Sequence, residues 1–121
     1  MFDIVIVGGG LTGACAALSL KLRNPKLNIA VIEAFVATDE SQPSFDDRSI
    51  ALASESFKYL SALNLLDANN DFTAAINDVL VSDRGHFGKT HISSAEYQVP
   101  ALGYVVEVRP WGQQLHKKMA S

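Results

Sequence analysis

Ile4-Val5-Ile6-Val7-Gly8-Gly9-Gly10-Leu11-Thr12-Gly13 is an apolar run that breaks into glycine and continues into a segment of helical spacing. Gly8, Gly10 and Gly13 fall in the pattern G-x-G-x-x-G. A strand that turns sharply into a helix leaves backbone N–H groups without partners, and the helix dipole adds partial positive charge at the same point. Such a turn suits a pyrophosphate. Gly8 serves the turn, Gly10 lets the backbone approach the phosphates, and Gly13 lets the helix lie close on the strand. Leu11 and Thr12 open the helix between the last two glycines.

Outward from the turn, Phe2 to Val7 reads as a central strand, apolar on both faces. Leu11, Ala14, Leu18 and Leu22 recur at helical spacing, and Ala16 and Ala17 keep the helix slim. Asn24-Pro25 ends this helix, because the residue before proline disfavours helical geometry. Asn28 to Glu33 reads as a second buried strand, which makes residues 2–33 one βαβ unit. Glu33 closes that strand 20 positions after Gly13, where a carboxylate can accept hydrogen bonds from the hydroxyls of an adenosine ribose. The same charge disfavours a 2′-phosphate, and hence NADP, at this site. Glycines and a strand-end glutamate fit FAD and NAD equally.

Thr38 to Ser44 is polar and contains proline, so it reads as a loop. Ile50, Ala53, Phe57, Leu60 and Leu63 predict an amphipathic helix from Ser49 to about Leu65, with Asp46 and Asp47 at its positive end. Leu66 to Ala75 reads as a turn and an irregular piece. Asp78 to Ser82 and Phe87 to Ile92 read as a hairpin around Asp83-Arg84-Gly85, and Gly103 to Val108 as a further strand. Pro110 suits the first turn of a closing helix that reaches about Met119. The expected fold class is therefore α/β, Rossmann-like, with one domain over residues 1–121 and a β-rich insertion at about 76–108.

Composition narrows the function. The 121 residues are 48% hydrophobic with a net charge of −3, and no basic block is present, which argues against nucleic acid as a partner. One cysteine, Cys15, fits a reducing compartment and a packed position on the first helix. The start of the chain has no basic, signal-like region, so a cytoplasmic or cytoplasm-facing location is expected. His86, His91 and His116 lack ligand spacing; no metal site is expected, and all three read as surface or turn residues. Ser54 and Ser56 have no nucleophile-elbow context. Tyr104 and Trp111 could flank a flavin, but core packing is the commoner use of such residues.

Asp46-Asp47-Arg48-Ser49-Ile50-Ala51-Leu52 resembles the D-x-R-x-x-A-L signature of the flavin-dependent aromatic hydroxylases, in the branch that acts on ubiquinone precursors. Val81 to Gly88 and Leu102 to Glu107 are similar to two further segments of that branch. The resemblance implies FAD as cofactor, NAD(P)H as reductant, and hydroxylation of a polyprenyl phenol by O2. It places the FAD pyrophosphate on Gly8, Gly10, Leu11, Thr12 and Gly13, and the adenosine ribose on Glu33. It gives Arg48, at the start of the second helix, the phosphate or ribityl region, and it marks Arg109. Val108 stands where the family pattern has asparagine. Peripheral membrane contact and other ubiquinone-biosynthesis proteins as partners follow from the resemblance alone.

The family's enzymes are much longer, and their second FAD motif, a Gly-Asp pair, lies downstream. The chain therefore reads as an amino-terminal part, inactive by itself, whose catalytic residues lie elsewhere. Two alternatives stay open: a non-catalytic dinucleotide-binding module, and an NAD-dependent dehydrogenase domain. The dehydrogenase domain predicts alternating strands and helices after Glu33.

Overall fold

The computed structural model describes residues 1–35 and 46–120, so the loop expected at Thr38 to Ser44 lies outside the described residues. The chain begins with strand β1 (Ile4–Val7), helix α1 (Leu11–Arg23) and strand β2 (Ile29–Ile32). β1 and β2 pair in parallel, from Ile4 opposite Ile29 to Val7 opposite Ile32. Lys21 and Arg23 in the last turn of α1 suit its negative end. The Lys21 ammonium also donates to the carbonyls of Pro25 and Leu27, at 2.8 and 2.7 Å, and so closes the α1–β2 turn. Asp3 accepts from the Asn28 N–H at 2.8 Å and ties the two strand starts together.

The strand sequence led to an expectation of burial on both faces, which the structure corrects. Ile4 and Ile6 are half-buried, whereas Val5, Val7 and Ile32 are exposed. α1 packs on one face of the β1–β2 pair, with Gly13 close to Ile6, and no described element covers the other.

Seven further elements follow. They are β3 (Ser49–Ala53), α2 (Ser54–Ala62), β4 (Thr73–Ile76), β5 (Asp78–Ser82), β6 (Lys89–Ser93), β7 (Gly103–Glu107) and α3 (Val108–Ala120). β3 and β4 flank β7 in an antiparallel sheet, and β5 and β6 form a separate hairpin. The helix expected from Ser49 instead begins at Ser54, because Ser49–Ala53 pairs residue for residue with β7. Ile50 fits the helical stripe with Ala53 and Phe57, but with Leu52 it also fits a period of two, and backbone pairing decides between them. The stretch expected to be irregular ends in β4. Its Thr-Ala-Ala-Ile sequence carries little strand signal, and its place is set by pairing with the other edge of β7.

The core gathers Ala14 and Leu18 of α1, Phe57 and Leu60 of α2, Leu65, Leu66, Val106 of β7, and Trp111 and Leu115 of α3. Trp111 is 2% exposed and donates its indole N–H to the Leu65 carbonyl at 3.0 Å. Tyr104 stacks on Phe57, with ring centroids 3.8 Å apart. Both aromatics thus belong to the packing of the core, Trp111 from α3 and Tyr104 from β7.

Candidate functional site: the glycine turn and its anchors

Gly8 continues the β1–β2 ladder by donating its N–H to the Ile32 carbonyl at 2.8 Å, then turns the chain at φ +102°. That left-handed conformation is open to glycine at little cost. Gly10 precedes α1 in an extended conformation, and no side chain caps the helix. The first intrahelical bond there runs from the Ala14 N–H to the Gly10 carbonyl, at 2.9 Å. The N–H groups of Leu11, Thr12 and Gly13 therefore precede the helical ladder, and the first turn holds no acidic residue to offset the dipole. A Cβ on Gly13 would lie 1.9 Å from the Gly8 carbonyl oxygen, so only glycine lets the helix sit this close to the strand end.

Glu33 directly follows β2 and reaches back to this turn. Its Oε2 accepts from the Gly9 N–H at 2.5 Å, and its Oε1 from the N–H groups of Ala34 and Phe35 at 2.9 and 3.4 Å. The Gly9 hydrogen bond, above all, holds the carboxyl below its ordinary pKa of 4.5, with smaller help from Phe35, Ala34 and the charge of His116. Glu33 is thus an anion that only accepts hydrogen bonds at neutral pH, as recognition of ribose hydroxyls requires.

His116 of α3 donates from Nε2 to the Gly9 carbonyl at 2.7 Å. Its reading as a surface or turn histidine is corrected here: it is half-buried against the glycine turn. The contact spans 107 residues, and no local spacing announces it. Gly9, Glu33 and His116 line one cavity of about 600 Å³, together with Lys21, Val31 and Met119.

Arg48 and Arg109 lie in a second cleft with Asp46, Asp47, Ser49, Glu107 and Pro110. Arg48 precedes β3 and not a helix, so the expected helix-terminal placement is corrected. Its Nε lies 2.6 Å from an Asp46 carboxylate oxygen, and the Arg109 Nε lies 2.9 Å from Asp47. The two aspartates expected at a helix end are instead the partners of the arginines. Exposed pairs of this kind are screened by solvent and add little to stability, so they orient the guanidinium groups more than they hold the fold. The structure thus brings Arg48 and Arg109 together, and Glu33 to the glycines, but in separate clefts. α3 connects the two: Arg109 is in its first turn, and His116, seven residues on, falls on the same side about 10 Å along the axis.

Other candidates have structural partners. Burial raises the Cys15 thiol to about 11, and its side chain packs against the core. His86 and His91 are exposed and lie beside Asp83 and Asp78, at 3.1 and 3.0 Å. Among the described residues no group of three His, Cys, Asp or Glu side chains can hold a metal ion, and no helix is long and apolar enough to cross a membrane.

No family model matches the chain. It is 32% identical over 107 residues to ubiquinone hydroxylase UbiL of Rhodospirillum rubrum, covering 88% of this chain and 24% of that protein. It is 29% identical over 106 residues to the uncharacterized protein slr1300 of Synechocystis, again 88% of this chain and 24% of the relative. A shorter match, 59% identical over 32 residues, is to human mitochondrial L-2-hydroxyglutarate dehydrogenase, covering 26% of this chain and 7% of that enzyme. The chain thus spans about a quarter of the length of the first two relatives.

Proposed function

We propose that the chain is the adenosine-side part of a Rossmann-like FAD-binding domain in a flavin-dependent hydroxylase of ubiquinone biosynthesis. The observation that carries the reading is the Glu33 carboxylate at the end of a parallel βαβ unit, hydrogen-bonded into the turn of Gly8, Gly10 and Gly13. Glycine geometry fits the group: Gly8 turns at positive φ, and Gly13 leaves no room for a side chain. Gly8, Gly10, Leu11, Thr12 and Gly13 would hold the pyrophosphate, and Glu33 the ribose. Arg48 and Arg109, already oriented by their aspartates, would meet the more distant phosphate or ribityl portion from the neighbouring cleft.

Likeness to both a hydroxylase and a dehydrogenase supports a shared cofactor element, since the names of those relatives specify different substrates. The antiparallel β3–β7–β4 sheet and the β5–β6 hairpin after Glu33 favour the hydroxylase reading over a dehydrogenase domain of alternating strands and helices. At its finest, the reading is a 2-polyprenyl-6-methoxyphenol hydroxylase, supported by the Ser82-Asp83-Arg84-Gly85-His86 hairpin. Bound FAD would supply the redox chemistry, with NAD(P)H as reductant and O2 as oxidant. The residues of this chain would bind and orient the adenosine end, and other parts of a longer enzyme would meet the ring and the phenol. Such a substrate suits a cytoplasmic protein in peripheral contact with membrane and with other ubiquinone-biosynthesis proteins.

The absorbance spectrum of the purified chain after incubation with FAD and desalting tests the cofactor. Retained flavin bands are expected; tight NAD binding without flavin binding would overturn the reading. The 121-residue chain is expected not to hydroxylate a polyprenyl phenol, and measured turnover would refute that part.

A further inference from the structure

Both peptide groups that flank Gly9 are anchored from distant parts of the chain. The Gly8–Gly9 peptide gives its N–H to Glu33, and the Gly9–Gly10 peptide gives its carbonyl to His116. The described peptides are all trans, so the Gly10 N–H points opposite to the carbonyl that His116 holds. It points away from α3, and it makes no hydrogen bond among the described residues. Consecutive glycines have the widest choice of backbone conformation and lose the most entropy when one is selected. A fixed donor on the Gly9 oxygen therefore selects one peptide orientation before any ligand arrives. α3 keeps that donor in place, because Trp111 and Leu115 bury the helix in the core.

We propose that His116 is a positioning residue for the diphosphate: by holding the Gly9 carbonyl it presents the Gly10 N–H, with those of Leu11 and Thr12, to the anion. This rests on the reading of the turn as a dinucleotide site, and it assigns a role that neither the glycine pattern nor Glu33 supplies. His116 acts through the backbone and need not touch the ligand. Its action requires a proton on Nε2, present in the imidazolium and in one neutral tautomer. Preorganisation of this kind strengthens binding by lowering the ordering cost at the moment of association.

Calorimetric titration of the 121-residue chain with ADP and with adenosine tests the role. His116→Leu is expected to weaken ADP about three- to tenfold, the loss of one hydrogen bond, while adenosine affinity holds. His116→Gln, whose amide can donate to the same carbonyl, is expected to retain most of the ADP affinity. Equal ADP affinity in wild type and His116→Leu would overturn the proposal, as would equal weakening of ADP and adenosine. A wild-type chain that binds neither ligand would instead refute the dinucleotide reading itself, and the role of His116 with it. The imidazole ¹⁵N spectrum of the wild-type chain supplies a check that needs no variant. A proton on Nε2 is expected; a bare Nε2 would refute the donor role.

Discussion

Glu33 is held by three backbone N–H groups, and the largest effect on its carboxyl comes from Gly9. A pKa lowered in the folded state means that the stabilisation is complete above the unfolded value near 4.5 and fades as pH falls through the folded value. Wild type should therefore lose more stability than Glu33→Gln as pH falls from about 6 to about 3, the range in which carboxylates take up protons. Urea unfolding across that range measures the difference. Cys15 gives a second residue-scale expectation. With its thiol raised to about 11, only about one molecule in a thousand carries a thiolate at pH 8. Iodoacetamide should label it slowly in the native chain and quickly once the chain is unfolded, as intact-mass analysis can follow. Gly8, Gly13 and Glu33 are legible in the sequence because a tight turn, a close helix and a strand end each impose a local requirement. His116 is not, because its hydrogen bond depends on where α3 docks. The pairing of Arg48 with Asp46 is likewise hidden, since charged neighbours suit a helix start as well as an ion pair.

α1 and the β1–β2 pair are legible as elements, with apolar spacing, glycines and Asn24-Pro25 all agreeing on the same boundaries. The boundary between β3 and α2 is not, because Ile50 serves the apolar stripe of one long helix, with Ala53, Phe57 and Leu60, as well as the alternation of a strand, with Leu52. Tertiary pairing with β7 decides, and sequence patterning contains no record of that partner. Secondary ¹³Cα shifts should accordingly be negative for residues 49–53 and positive for 54–62. α3 shows the energetic side of the same dependence. Trp111 is nearly fully buried and bonded to the Leu65 carbonyl, so Trp111→Ala should cost about 3–5 kcal/mol in unfolding experiments. Because α3 carries both Arg109 and His116, the variant should also disturb the two clefts together.

Across the whole molecule, one helix links a cleft of oriented arginines to a glycine turn whose peptides are pinned from two sides. The uncovered face of β1 and β2, with Val5, Val7 and Ile32 exposed, contrasts with the buried core between the helices. An all-apolar strand carries no mark of which face will find a cover, and for that reason the burial expected on both faces was not observed. In the proposed function, the turn of Gly8 to Gly13 and Glu33 hold the adenosine-diphosphate end of a dinucleotide. Titration of the ¹⁵N-labelled chain with ADP, followed by amide chemical shifts, tests this placement. The largest changes should fall on Gly9, Gly10, Leu11, Thr12 and Gly13, with Ala34 and Phe35 responding through Glu33. Changes centred on Arg48 and Arg109 with the glycines unmoved, or no changes at millimolar ADP, a concentration of order that of weak nucleotide binding, would contradict it.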